Sequence, residues 1–152
     1  MRFWRVCRER YAAEAVSGEG ARLFGGRWNS RGVRVAYAST SLALAAMETF
    51  VNLEPNLQPD DLVSMEGKIP DELQVARLEV HVLPPHWNET QDESLRRFGD
   101  EWVRMGQTVG LLVPSAAIRG ERNLLLNPAH EGFPKIKFEE PQPFRFDARM
   151  FR

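Results

Sequence analysis

Between Gly25 and Glu48 the chain reads G-G-R-W-N-S-R-G-V-R-V-A-Y-A-S-T-S-L-A-L-A-A-M-E. No other stretch limits the fold so tightly. A glycine-rich loop must pass into Val33-Arg34-Val35-Ala36-Tyr37, whose alternation predicts a strand. Ser39 or Thr40 then caps a helix that runs to about Leu53 and is ended by Pro55 and Pro59. From Leu42 to Val51 that helix is apolar almost all round, so it is expected to be buried. Glu48 becomes a carboxylate on a buried helix, and such a group needs a partner or a purpose. Two readings stay open on sequence alone: a structural ion pair with a nearby arginine, or a functional charge.

The remaining elements follow from pattern. Phe3 to Cys7 reads as a first strand, and residues 8–16 as a short helix or loop. Ser17 to Gly32 holds five glycines and reads as a long ordered loop anchored by Leu23, Phe24 and Trp28. Leu62 to Met65 and Val75 to Val82 are expected strands. Asp92 to Gly106 is a polar helix with one apolar face formed by Leu95, Phe98, Trp102 and Met105. Leu111 to Val113, Asn123 to Leu126, Lys135 to Phe138 and Phe144 to Phe146 are short strands. Many short strands with two clear helices indicate an α+β fold, short twisted sheets with flanking helices. The 152 residues match one domain, 1–152, with no repeat and no linker.

Bulk properties exclude several classes. No apolar run approaches the roughly 20 residues that span a bilayer. The N-terminal Met1-Arg2-Phe3-Trp4-Arg5 lacks a signal-peptide core, so a cytoplasmic protein is expected. One cysteine, Cys7, rules out an internal disulfide and reads as a buried structural thiol. Net charge is −1 but uneven. Residues 1–37 carry 8 basic and 3 acidic side chains, while residues 38–102 carry 4 basic and 13 acidic. A basic N-terminal third suits phosphate. Without a Lys/Arg helix stripe it does not read as a nucleic-acid surface. His81 and His86 are five apart with no third ligand at helical spacing, so no metal site is expected.

Arg27 follows two glycines, which let backbone amides approach an anion, and its planar fork suits pyrophosphate. Tyr37 ends a strand before the helix of Glu48 and could stack on a flat heterocycle or donate its hydroxyl. Taken singly, each also reads as an ordinary loop arginine or core tyrosine. Ser115 sits at a strand end without the turn a hydrolase nucleophile needs. Asn123 and Asn127 bracket L-L-L and read as turn formers. A cation, a phenol and a carboxylate gathered this way fit an anionic ligand with a carbon able to form a cation. A dinucleotide such as NAD+ is one.

Several short motifs recur together: W-R-V from Trp4, G-G-R-W-N, Y-A-S, M-E at Glu48, P-S-A, and N-L-L-L-N-P over residues 123–128. In this combination the chain resembles the RES-domain toxin family, the toxins of RES–Xre toxin–antitoxin pairs. The family's arginine, glutamate and serine fall on Arg27, Glu48 and Ser115. The resemblance implies a fold related to ADP-ribosyltransferases and a pocket for NAD+ as substrate, with no permanently bound cofactor. It implies cleavage of the nicotinamide–ribose bond, with water or inorganic phosphate as acceptor. Glu48 would stabilise the ribosyl cation. Arg27, with Arg5, would hold pyrophosphate, and Tyr37 would pack on nicotinamide or ribose. Ser115 and Asn123 would orient the leaving amide or support Glu48. The implied partner is an Xre-type helix-turn-helix antitoxin that itself binds operator DNA; direct nucleic-acid or membrane binding by this chain is not expected. A homo-oligomer of the toxin within that complex is compatible with the resemblance. The rival readings are a mono-ADP-ribosyltransferase acting on a protein, and a non-catalytic binding module whose Arg27 and Glu48 form an ion pair.

Overall fold

The L-L-L run at residues 124–126 becomes the centre of the molecule, with all three side chains fully buried. The structure is a computed structural model describing residues 1–152. In chain order the strands are β1 (Arg2–Arg8), β2 (Ala36–Ser39), β3 (Leu62–Lys68), β4 (Val75–Arg77), β5 (Gly110–Pro114), β6 (Arg122–Leu126), β7 (Lys137–Phe138) and β8 (Gln142–Phe144). The helices are α1 (Glu19–Phe24), α2 (Leu42–Phe50) and α3 (Glu93–Met105). The strands form one sheet in the order β4-β5-β6-β2-β1-β3-β7, with β8 also paired to β3. Only the β4–β5 pair is parallel. This is the expected α+β architecture, built on one sheet rather than several.

Period-2 geometry makes β6 serve both faces. Leu124 and Leu126 join Phe3, Ala36, Ala38 and Ile136 on one side. Leu125 joins Trp28, Val35, Leu111 and Val113 on the other, under Leu95 and Trp102 of α3. A strand buried on both faces reads as a continuous apolar run, which is why L-L-L does not alternate. α3 begins where Asp92 accepts hydrogen bonds from the Ser94 and Leu95 amides and ends at Gly106 in the left-handed region (φ 60°).

Several expectations need correction. Residues 19–24 are helical rather than loop: Gly20 is tolerated inside a single turn or two, and Gly25 at φ 71° ends it. Of the three expected apolar anchors only Trp28 is buried, at 3 % exposure; Phe24 is 76 % exposed and Leu23 50 %. The true cap of α2 is Ser41, whose side chain accepts from the Leu44 amide. Ser39 and Thr40 instead bond to the neighbouring strand β6. α2 is not buried all round: Leu44 and Ala45 are buried, while Leu42 and Val51 are exposed. Its many alanines make any face look apolar, so the pattern overstated the buried arc. The strand expected over residues 75–82 stops at Arg77, and residues 80–82 turn as a 3-10 helix. Cys7 is only half-buried. No helix is long and apolar enough to cross a membrane.

Candidate active site

The G-G-R-W-N loop is held from below by Asn29 and Tyr37. Asn29 is fully buried, and its Nδ2 donates to the carbonyls of Ala21, Ser30 and Val33 at 2.9–3.2 Å. The Tyr37 hydroxyl donates to Asn29 Oδ1 at 2.7 Å and accepts from the Trp28 amide at 3.1 Å. Burial pushes this phenol far above its usual range. Asp100 of α3 accepts from both the amide and the hydroxyl of Ser30. A Cβ on Gly26 would come within 2.6 Å of the Tyr37 oxygen, so the second glycine of the pair is a matter of space. The Tyr37 hydroxyl is thus engaged in the scaffold, and the residue also lines the cavity described below. We expect Tyr37→Phe to leave Asn29 Oδ1 and the Trp28 amide unpaired and to cost about 1–3 kcal/mol. Calorimetry should show a fall in Tm; an unchanged Tm would contradict this role.

Glu48 lies in the last turns of α2, which packs against β1. Its Oε1 accepts from the Ser115 hydroxyl at 2.6 Å and from Asn123 Nδ2 at 2.5 Å. Both donors come from the sheet: Asn123 from β6, Ser115 from the residue after β5. Ser115 is 3 % exposed, and its Oγ in turn accepts from the Ala117 and Ile118 amides. No donor of the protein reaches Oε2. The carboxylate is therefore held by neutral groups and is not half of an ion pair. Asn123 is no turn former but an inward-facing strand residue.

Two arginines complete the surroundings without touching a carboxylate. Arg5 of β1 donates from Nη1 to the Tyr37 carbonyl at 2.6 Å, and its Nε is buried with no partner. Arg27 donates from Nη1 to the carbonyls of Trp87 (3.0 Å) and Thr90. Its Nε and Nη2 have no protein partner. Burial lowers both guanidinium pKa values below their ordinary value. Partly buried guanidiniums with no carboxylate in contact favour an anion. Arg5, Arg27, Trp28, Tyr37, Glu48 and Asn123 all line one cavity of about 730 Å³, with Ser115 behind Glu48 and its neighbour Ala116 in the wall. That volume is in the range of small-ligand sites. Cys7 also faces this space, and burial raises its thiol pKa. His81 and His86 are exposed, and no three His, Cys, Asp or Glu side chains converge.

Sequence reasoning missed Asn29, Asp100 and Ser39. Asn29 and Ser39 fall within quoted motifs, but their partners do not show there: Asn29 ties together carbonyls near it in the chain and the Tyr37 hydroxyl, while Ser39 and Asp100 act on segments remote in the chain.

The RES domain model matches residues 2–147. The chain belongs to the RES family. Among curated relatives, it is 39 % identical to the Prs ADP-ribosylating toxin of Sphingobium sp. (strain YBL2), over 99 % of this chain and 96 % of the relative. It is 33 % identical to Toxin Res of Photorhabdus laumondii, over 100 % of this chain and 98 % of the relative. In structure it is similar to a chain of the M. tuberculosis MbcT–MbcA toxin–antitoxin complex, with a TM-score of 0.73 and 18 % identity. That match covers 95 % of this chain and 84 % of the other. Arg27 and Glu48 thus line one cavity, and Ser115 sits directly behind Glu48.

Proposed function

We propose that this RES protein is the toxin of a toxin–antitoxin pair and that it breaks the nicotinamide–ribose bond of NAD+. One observation carries the reading: the Glu48 carboxyl is held by neutral donors, with one oxygen unengaged, in a cavity that also contains two arginines with no carboxylate partner. The leaving nicotinamide is already cationic in NAD+, so its departure needs no strong acid. The developing charge is on the ribosyl carbon, as in glycoside cleavage. A fixed carboxylate stabilises that charge without reorganising as the bond breaks. Arg5 and Arg27 supply fork-shaped donors for the pyrophosphate, and the Tyr37 ring supplies a flat apolar wall. Water or inorganic phosphate then takes up the ribosyl carbon. The names of the relatives support the toxin role, and the toxin–antitoxin complex with the same fold supports an antitoxin partner, which we take to be of Xre type.

The relative named as an ADP-ribosylating toxin favours one second reading, transfer of ADP-ribose to a protein from the same site. A binding module built on an Arg27–Glu48 ion pair is disfavoured, since Glu48 has other partners and the cavity is open.

Purified protein incubated with NAD+ tests the proposal by the appearance of free nicotinamide with ADP-ribose or its 1-phosphate. Addition of the cognate Xre-type antitoxin should suppress it. Nicotinamide release only when a protein acceptor is added, with a matching mass increase on that acceptor, would select the transferase reading. No release under either condition would end both. In cells, expression of the chain alone should arrest growth and lower NAD+, and co-expression of the antitoxin should restore both. Arrest with an unchanged NAD+ pool and one newly modified protein would again favour transfer.

A further inference from the structure

Glu48 is steadied by two donors, and each donor is itself held from behind. Ser115 accepts two backbone amides, so both oxygen lone pairs are used and its single O–H is left for Glu48. Asn123 has a different backer. Ser39 stands directly opposite it in the β2–β6 ladder, 3 % exposed, and its hydroxyl donates to Asn123 Oδ1 at 2.7 Å. No other group donates to that oxygen. The same amide gives its Nδ2 hydrogen to Glu48 Oε1 at 2.5 Å.

We propose that Ser39 is a positioning residue for Glu48, acting through the Asn123 amide, so that Glu48 spends Oε1 on the protein and presents Oε2 to the reacting ligand. This inference deepens the proposed NAD+-cleaving role and rests on it. The physical case is short. An amide whose oxygen accepts a hydrogen bond becomes a better N–H donor, because bonds in a chain polarise one another. An amide whose buried oxygen has no donor turns or admits water to satisfy it. Either movement loosens the carboxylate. A carboxylate aimed at a transient charge loses effect when its orientation spreads. Ser39 makes no hydrogen bond to Glu48 itself; its hydroxyl reaches the carboxylate only through Asn123. Removing its hydroxyl should disturb turnover more than binding.

The test combines a kinetic cycle with a spectroscopic readout. Ser39→Ala should lower kcat for nicotinamide release on the order of tenfold, the worth of one buried hydrogen bond, with KM within about twofold. In an Asn123→Ala background the same change should lower kcat no further, because neighbours in one chain are not additive. Independently of any activity, the Asn123 side-chain NH₂ resonances of the full chain should shift in Ser39→Ala and also in Glu48→Gln. Ser39→Cys keeps the side-chain shape, slightly enlarged, with only a weak donor, and replaces the alanine variant if that one does not fold. Unchanged kcat, an additive loss in the Asn123→Ala background, or unmoved Asn123 resonances in the folded Ser39 variant would each overturn the positioning role. Wild-type protein that releases no nicotinamide, yet shows the shifted resonances, would refute the NAD+ reading and leave the Ser39–Asn123–Glu48 chain standing.

Discussion

Glu48→Gln should fold normally and lose about 10²–10³ of the wild-type rate of nicotinamide release. The substitution keeps the side-chain volume and removes the charge. The local hydrogen bonds permit it: the Gln oxygen can still accept from Ser115 and Asn123, as Oε1 does now. The amide nitrogen would then occupy the Oε2 side, where no protein donor is placed to clash with it. Stability should change little, since neutral donors rather than an ion pair hold the site. The measurement is a comparison of turnover and Tm on the same preparation. Wild-type turnover with a wild-type Tm would remove Glu48 from the mechanism. Loss of turnover with a collapsed Tm would instead make it structural.

Gly99→Ala should be strongly destabilising although alanine is the better helix former. On an exposed helix the exchange would gain roughly 0.5–1 kcal/mol. Here a Cβ at position 99 would lie 1.8 Å from the Trp28 carbonyl oxygen and 2.9 Å from the carbonyl carbon. These are backbone atoms, so no rotamer change relieves the contact. α3 or the G-G-R-W-N loop must move. Overpacking of this kind costs about 1–3 kcal/mol and more when backbone must shift. At roughly 2–4 °C per kcal/mol for a chain of this size, Tm should fall by up to about 10 °C. Movement of the loop also breaks the contacts of Asp100, the next residue of α3, with Ser30. Activity should therefore fall even at temperatures where the variant remains folded. A Tm equal to or above that of the wild type would show that the loop and α3 have more room than the structure gives them.

Local chemistry made much of this protein readable. Asp92 and Gly106 bracket α3 correctly because a cap is decided by a residue and its immediate neighbours. β1, β5 and β6 are visible because apolar runs of that length have few other fates. Arg27, Tyr37 and Glu48 stand out because a glycine pair, a strand end and an apolar helix each make a polar residue conspicuous. Where local signals were ambiguous, reading failed. Leu23 and Phe24 looked like anchors yet lie exposed, since hydrophobicity alone does not say that a partner surface exists. Ser39, Thr40 and Ser41 are equivalent as caps on paper. The ladder with β6 takes the first two and leaves Ser41 for the helix.

By itself, then, the sequence determined the α+β class, the main elements and the identity of the charged groups on the Gly25–Glu48 stretch, all of which depend on contacts within about a dozen residues. Only the tertiary structure decided what those groups meet. Glu48 is 67 residues from Ser115 and 75 from Asn123, and Arg27 is 60 from Trp87. Pairings across such distances depend on which strands lie side by side and in what register, and a register is a property of the whole sheet. That is why a structural ion pair and a functional charge both stayed open for Glu48 in the sequence, and why Ser39, read there only as a helix cap, acquires another role once β2 lies against β6.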